Sequence, residues 1–190
     1  MFPEGAELFN QALLPYVNWY GKQVFNIGSG LRVCYDGEQP YIHEMVLKPI
    51  LDRGGLITNF DLKTETLDLP EGMTHVVADV SERIPADDHQ ADVVLCTSMV
   101  EHVREPQKML REIERVTKPR GLMWFEAPAD YPLHNEPIDT GLRLHNRAEV
   151  EAFLGEHWMV LRYLEFVSMS CPSVVEHGSG VVVLAVGGLW

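Results

Sequence analysis

Short apolar segments alternate with helical segments along most of the chain, and this alternation constrains the fold more than any other feature. The strand-like runs are, in chain order, Gln23–Ile27, Leu56–Phe60, His75–Ala78, Asp92–Cys96 and Leu122–Phe125. Helical patterns occupy 41–52, 106–118 and 147–154. Strands that are separated by helices form mostly parallel sheets with helices on both faces. The sequence therefore predicts an α/β fold with a doubly wound sheet.

The two ends of the chain depart from this alternation. Residues 1–20 predict an N-terminal helical segment that is interrupted at Pro15. Strand-like segments at 158–168 and 180–187 follow one another with no helix between them. A connection without a helix favours antiparallel pairing, so we expect an antiparallel pair of strands to close the sheet at its edge.

Length, charge and cysteine content narrow the class of protein. The chain has 190 residues, which suits a single domain over 1–190. Its net charge of −13 opposes binding to nucleic acid or to an anionic membrane. Cys34, Cys96 and Cys171 are too widely spaced for a zinc site and indicate reduced thiols. With no basic N-terminal leader and no apolar run of about 20 residues, we expect a cytoplasmic protein.

Glycine and aspartate residues follow the first three strand-like runs. Gly28-Ser29-Gly30 comes after the first run, Asp61 after the second, and Asp79 with Val80 after the third. Ligands of doubly wound sheets bind outside the carboxyl ends of the strands. Paired glycines allow close backbone approach to a ligand, and a carboxylate can accept hydrogen bonds from ribose hydroxyls or an amino group. Each residue alone also fits a simple turn or a helix cap, so the inference depends on their order.

A longer stretch of the chain resembles a known family. Its parts are Ala78–Pro85, Ala91–Val94, Met99–Val103, Glu114–Gly121 and Pro128. In this stretch the chain resembles the class I S-adenosylmethionine-dependent methyltransferases that act on small molecules, in particular the methyltransferase type 11-like family. The resemblance implies a Rossmann-like sheet of seven strands with an antiparallel strand seven. It also implies methyl transfer from S-adenosyl-L-methionine to a small-molecule acceptor.

The resemblance assigns cofactor contacts residue by residue. It implies that the glycine loop approaches the methionine and ribose, that Asp61 binds the ribose, and that Thr97 lies beside the sulfonium. The implied cofactor-binding residues are Asn26, Gly28, Ser29, Gly30, Asp61, Asp79, Val80 and Thr97. Two features depart from the family pattern: Asn26 stands where an acidic residue is usual, and the third glycine of the loop is absent. The interval from Gly30 to Asp61 is 31 positions, where about 20 is typical.

Three further residues are candidates for the reaction itself. His102 follows the fourth strand beside the expected cofactor, and the resemblance implies that it lines the active site; it could also orient the loop. Tyr131 and His134 lie in the polar segment 129–146, which we expect to act as a lid over the acceptor. The expected reaction is direct displacement at the sulfonium methyl, in which catalysis rests mainly on alignment of the reactants.

Other functions fit parts of the sequence. A nicotinamide dinucleotide site would need glycine at Val33, and a DNA amino-methyltransferase would need a different motif at 96–99. A metal-dependent O-methyltransferase could use Asp130 and Asp139, although we expect no metal. Because Asn26 replaces the usual acid, a methyltransferase-like binding or partner subunit without activity is the main alternative.

Overall fold

A computed structural model describes residues 3–28, 42–62, 69–130, 133, 139–168 and 178–187. Its strands form one seven-stranded sheet with the order β3-β2-β1-β4-β5-β7-β6. Strands β1 to β5 are parallel, whereas β7 runs antiparallel to both of its neighbours. The predicted doubly wound sheet of seven strands, with an antiparallel strand seven, is confirmed.

The helices and strands follow the alternation in the sequence. The strands are β1 (Gln23–Ile27), β2 (Leu56–Asp61), β3 (Met73–Val77), β4 (Ala91–Thr97), β5 (Thr117–Asp130), β6 (Trp158–Ser168) and β7 (Gly178–Gly187). The α-helices are α1 (Pro3–Ala12), α2 (Lys48–Leu51), α3 (Pro106–Val116) and α4 (Arg147–Leu154). Single 3₁₀ turns occupy Leu14–Tyr16 and Val100–His102, and a π-helical segment, His43–Leu47, leads into α2.

The sheet separates two apolar cores. Alternate residues of a strand point to opposite faces, so Val183 of β7 packs in one core and Val182 in the other. Helix α3 covers the first core with Met109, Leu110, Ile113 and Val116, which lie at helical spacing. Helix α1 covers the second core, where Phe9 packs edge-to-face against Trp124 at 5.4 Å between ring centroids. Both faces of the sheet are thereby buried, as parallel strands require.

Several element boundaries differ from the sequence prediction. Helix α3 ends at Val116 rather than at 118, and β5 begins at once, at Thr117 rather than at Leu122. The Thr117 hydroxyl donates to the carbonyl of Ile113, and its backbone pairs with Ala91 of β4. Strand pairing therefore starts before Pro119, which the sequence pattern indicates as part of a helix stop. Strand β3 starts at Met73 because its register with β2 begins there.

None of the described helices is long or apolar enough to cross a membrane.

Candidate functional site

The carboxyl ends of the parallel strands bring the predicted residues into one row. Ile27 of β1 pairs with Phe60 of β2 and with Cys96 of β4. Gly28, Asp61 and Thr97 are the next residues along these three strands, so they lie side by side at the edge of the sheet. Strand order reverses between β1 and β4, and such a switch point is where doubly wound sheets bind ligands.

Gly28 forms the tight turn that the predicted loop requires. Its φ of +66° lies in the left-handed region, and its backbone N–H donates to the carbonyl of Phe60 at 2.8 Å. A Cβ atom at this position would lie 2.2 Å from the sulfur of Met99, in the turn after β4. Glycine is therefore needed here for conformation and for space, and it leaves backbone rather than a side chain at the switch point.

The two predicted aspartates occupy different settings at this edge. Asp61 is half-buried at the end of β2, and its carbonyl accepts from the N–H of Ala78 at 2.9 Å. The exposed Asp79 holds a turn, because its carboxylate accepts from the N–H of Ser81 at 3.0 Å and from the Ser81 hydroxyl. The next residue, Val80, is only 3% exposed, and its side chain packs in the first core, which α3 covers. An exposed carboxylate is thus followed directly by a buried apolar side chain.

Asn26 lies below the row rather than in it. Its side chain is buried, and its amide donates to the Oδ1 atom of Asn59 on β2 at 2.9 Å. The amide of Asn59 in turn donates to the carbonyl of Thr74 on β3 at 3.1 Å. These bonds link three neighbouring strands under the edge, a structural role that the sequence did not predict. The cofactor contact expected for Asn26 stays a prediction.

Glu126 continues the row onto β5 and was missed at the sequence level. It pairs with Thr97, is fully buried, and accepts from the Ser98 hydroxyl at 2.8 Å. Ser98 has a φ of +47°, a conformation that is unfavourable for serine. The signal available in the sequence was one charged residue within an otherwise apolar strand, Leu122–Ala129.

Glu101 and His102 lie in the 3₁₀ turn that follows β4. Glu101 is 4% exposed, and its Oε2 atom has no hydrogen-bond partner among the described residues. The Nε2 atom of His102 lies 3.7 Å from the Oε1 atom of Glu101, and the His102 side chain is 17% exposed. The pKa of Glu101 is raised to about 7, mainly by burial; the charge of Glu126 contributes to the rise and that of Arg143 opposes it. A carboxyl group that changes charge near neutral pH therefore lies at the edge of the sheet.

The described part of the predicted lid, 139–146, is anchored to this turn. The N–H of Thr140 donates to the Glu101 carbonyl at 2.7 Å, and the N–H of Leu144 donates to the carbonyl of Pro128 at 3.0 Å. Arg143 forms a bidentate ion pair with Asp139, whose side chain is fully buried. Asp139, which the sequence offered as a residue for a metal-dependent reaction, is thus paired with the Arg143 guanidinium. Movement of the lid remains a prediction.

Four predicted site residues lie outside the described residues. They are Ser29 and Gly30 of the loop after β1, and Tyr131 and His134 of the predicted lid. Their assigned roles remain predictions.

The free energy of unfolding should depend on the protonation state of the buried Glu101. Since folding raises its pKa from 4.5 to about 7, its contribution is fully present below about pH 4.5 and is lost as pH rises through about 7. The shift corresponds to roughly 3 kcal/mol in favour of the protonated form. Glu101→Gln should therefore unfold at higher urea concentration than the wild type at about pH 8, with little difference at about pH 4.5.

The exposed Glu105→Gln serves as the control for this titration. If the stabilities of the wild type and Glu101→Gln differed by the same amount at all pH values, Glu101 would not titrate in this range.

Parts of the chain are similar to known proteins. A family described as "Methyltransferase domain" matches residues 44–125. The chain is 26% identical over 114 residues to a ubiquinone biosynthesis O-methyltransferase of Citrobacter koseri. That match covers 56% of this chain and 42% of the relative, so the chain matches less than half of that protein's length.

Solved structures share the whole fold at low sequence identity. The 1,6-didemethyltoxoflavin-N1-methyltransferase of Burkholderia thailandensis, solved with 1,6-didemethyltoxoflavin and S-adenosylhomocysteine, has a TM-score of 0.65 at 17% identity, over 97% of this chain and 76% of that one. The [4+2]-cyclase SpnF has a TM-score of 0.70 at 15% identity, over 99% of this chain and 81% of that one. At such identities the likeness establishes the fold alone.

Proposed function

We propose that this chain is a class I S-adenosylmethionine-dependent methyltransferase, which binds S-adenosyl-L-methionine and transfers its methyl group to a small-molecule acceptor. The observation that carries the proposal is the row of Asp61, Gly28 and Thr97 along the switch point between β1 and β4. A half-buried aspartate, a glycine backbone and a short hydroxyl side chain lie side by side there, which suits a nucleoside with an amino-acid tail.

The residues of the row fit the parts of this ligand. Asp61 would accept hydrogen bonds from the ribose hydroxyls, and the backbone at Gly28 would approach the methionine portion. Asp79 and Val80 would contact the adenine, Asp79 with its exposed carboxylate near the amino group and Val80, whose side chain is buried, with its backbone. Thr97 would face the sulfonium. When bound, S-adenosylmethionine supplies an activated methyl group, while these side chains orient the reactants.

A small molecule is the acceptor class that the observations favour. The relatives named above are an O-methyltransferase of ubiquinone biosynthesis and an N1-methyltransferase crystallised with 1,6-didemethyltoxoflavin. The net charge of −13 opposes approach to a nucleic-acid backbone. We propose further that 1–190 is one cytoplasmic methyltransferase-like domain and that 129–146 closes over the acceptor.

Calorimetry with S-adenosylhomocysteine tests the binding site directly. Asp61→Asn should weaken binding by about 10–100-fold, because hydrogen bonds to a charged group contribute about 1.5–3 kcal/mol. Asp87→Asn, an exposed aspartate between β3 and β4, should bind as tightly as the wild type. A folded wild-type protein that gives no binding heat would contradict the proposal, as would equal affinities in both variants.

A binding module without methyl transfer is the second candidate, and Asn26 favours it. Its amide is occupied by Asn59, and it provides no negative charge for the ammonium of the cofactor. Such a protein would bind S-adenosylhomocysteine and still release no labelled methyl group to any acceptor. Measurement of labelled product therefore separates the two candidates.

A further inference from the structure

Glu101 is a buried acid whose position suits proton transfer during the reaction. It lies two residues after Met99, whose sulfur packs against the glycine turn at the switch point. Its side chain is 5% exposed, and one carboxylate oxygen, Oε2, has no hydrogen-bond partner among the described residues. A buried polar atom without a partner is unfavourable, which indicates that a ligand atom supplies the missing hydrogen bond.

The charged groups around Glu101 leave this carboxylate available. Arg143, from the segment after β5, is engaged by Asp139 through both carboxylate oxygens. Glu126, from β5, adds negative charge, and burial raises the pKa of the Cys96 thiol on β4 well above its usual range, which keeps it neutral. These surroundings therefore favour the protonated form of Glu101 over its carboxylate anion.

His102 offers a route by which that proton can leave. Its Nε2 atom lies 3.7 Å from Oε1 of Glu101, the oxygen opposite the unpartnered one. The His102 side chain is 17% exposed, so it connects the almost fully buried carboxylate of Glu101 to solvent. An imidazole has two ring nitrogens, so it can accept a proton on one and release a proton from the other.

On the basis of the proposed function, we propose that Glu101 is the general base and that the acceptor is a small molecule whose reacting oxygen or nitrogen carries a proton. The acceptor atom gives its proton to Oε2 of Glu101 and forms a bond to the methyl carbon. The carbon–sulfur bond breaks, and its electron pair stays on sulfur, which becomes the neutral thioether of S-adenosylhomocysteine. The proton then leaves Glu101 through His102 to water.

The first experiment compares acceptors with labelled S-adenosylmethionine. Catechol and benzylamine have O–H and N–H groups, whereas N,N-dimethylaniline and dimethyl sulfide have no proton on the reacting atom. We expect the wild type to methylate catechol, benzylamine or both, and neither of the other two. Methylation confined to the proton-free probes, or of none of the four by a protein that binds S-adenosylhomocysteine, would overturn the inference.

The second experiment compares Glu101→Gln with the wild type on the methylated probe. General-base catalysis contributes about 100–10,000-fold, so kcat should fall by that range while S-adenosylhomocysteine affinity stays unchanged. The wild-type kcat should rise with pH and level off above about pH 7, the pKa of Glu101, and this limb should be absent in Glu101→Gln. Glu105→Gln, exposed and in the same segment, should match the wild type.

If the role of Glu101 were only structural, Glu101→Gln would keep the pH profile and the kcat of the wild type. That result would refute the base. A ¹³C-NMR titration of the glutamate carboxyls with S-adenosylhomocysteine bound needs no acceptor at all. One resonance should titrate near pH 7 and disappear in Glu101→Gln, and its absence from the wild type would also overturn the inference. Failure of the wild type to bind S-adenosylhomocysteine would instead contradict the proposed function.

Discussion

Replacement of Arg143 by leucine is expected to lower the free energy of unfolding by about 3–5 kcal/mol, the effect of removing one partner from a buried ion pair. The carboxylate of Asp139 is fully buried, and both of its oxygens accept from the Arg143 guanidinium, at 3.1 and 2.7 Å. Leucine would leave that charge away from water without its cation. Urea unfolding followed by circular dichroism measures the loss.

The chain provides a matched control on the neighbouring helix. Arg147 and Glu151 also form an ion pair of an arginine and an acid four residues apart, but their side chains are 56% and 47% exposed. Arg147→Leu should therefore change stability by less than about 1 kcal/mol. The double variant Asp139→Asn/Arg143→Leu should recover part of the loss, because it removes the unpaired charge. Equal losses from Arg143→Leu and Arg147→Leu would show that burial of the first pair has no energetic consequence.

Substitution of Gly28 by alanine should both destabilise the fold and weaken cofactor binding. A residue with a side chain at φ +66° costs about 1–2 kcal/mol. The new methyl group would lie 2.2 Å from the Met99 sulfur, and such overpacking costs roughly a further 1–3 kcal/mol. Movement of the turn would relieve the clash but would displace the backbone that is proposed to approach the cofactor. S-adenosylhomocysteine affinity, measured by calorimetry, should therefore fall as stability falls.

Two further variants separate the clash from the backbone strain. Gly21 has a similar φ, +70°, and a methyl group added there would meet no described atom within 4 Å. Gly21→Ala should thus show the strain alone and leave cofactor binding intact. Gly28→Ala/Met99→Ala removes the clash and should restore part of the stability. Identical stability and affinity in Gly28→Ala and Gly21→Ala would contradict the role assigned to the close approach of Met99.

The sequence predicted the strands well where local pattern decides them. Runs such as Val93–Leu95 are apolar at every position, as is typical of a parallel strand that is buried on both faces. The pattern failed at Thr117–Gly121, where Pro119 and glycine indicated a turn. Thr117 pairs with Ala91 of β4, and pairing resumes at Leu122 after a register shift, so β5 starts before the proline. Strand ends depend on the neighbouring strand, and the local sequence does not contain that information.

The residues of the candidate site likewise divide into those that the sequence could predict and those that it could not. Gly28, Asp61 and Thr97 could be predicted because each directly follows a strand in chain order, and parallel strands end at one edge. Asn59 and Glu126 could not, because their partners, Asn26 and Ser98, come from other segments 33 and 28 residues away. The same holds for Glu101, whose contacts with Thr140 and the buried environment arise only when the segment after β5 folds back.

By itself, then, the sequence determined the alternation of strands and helices, the antiparallel closing pair, the resemblance to a methyltransferase family, and the strand-end residues proposed to bind the cofactor. These features depend on periodicity and chain order, which a linear sequence contains. Only the tertiary structure decided that Asn26 bonds Asn59, that Glu126 joins the row, and that Glu101 is buried with a raised pKa. Burial and cross-strand register are properties of packing between distant segments, and the chemistry of a carboxylate depends on both.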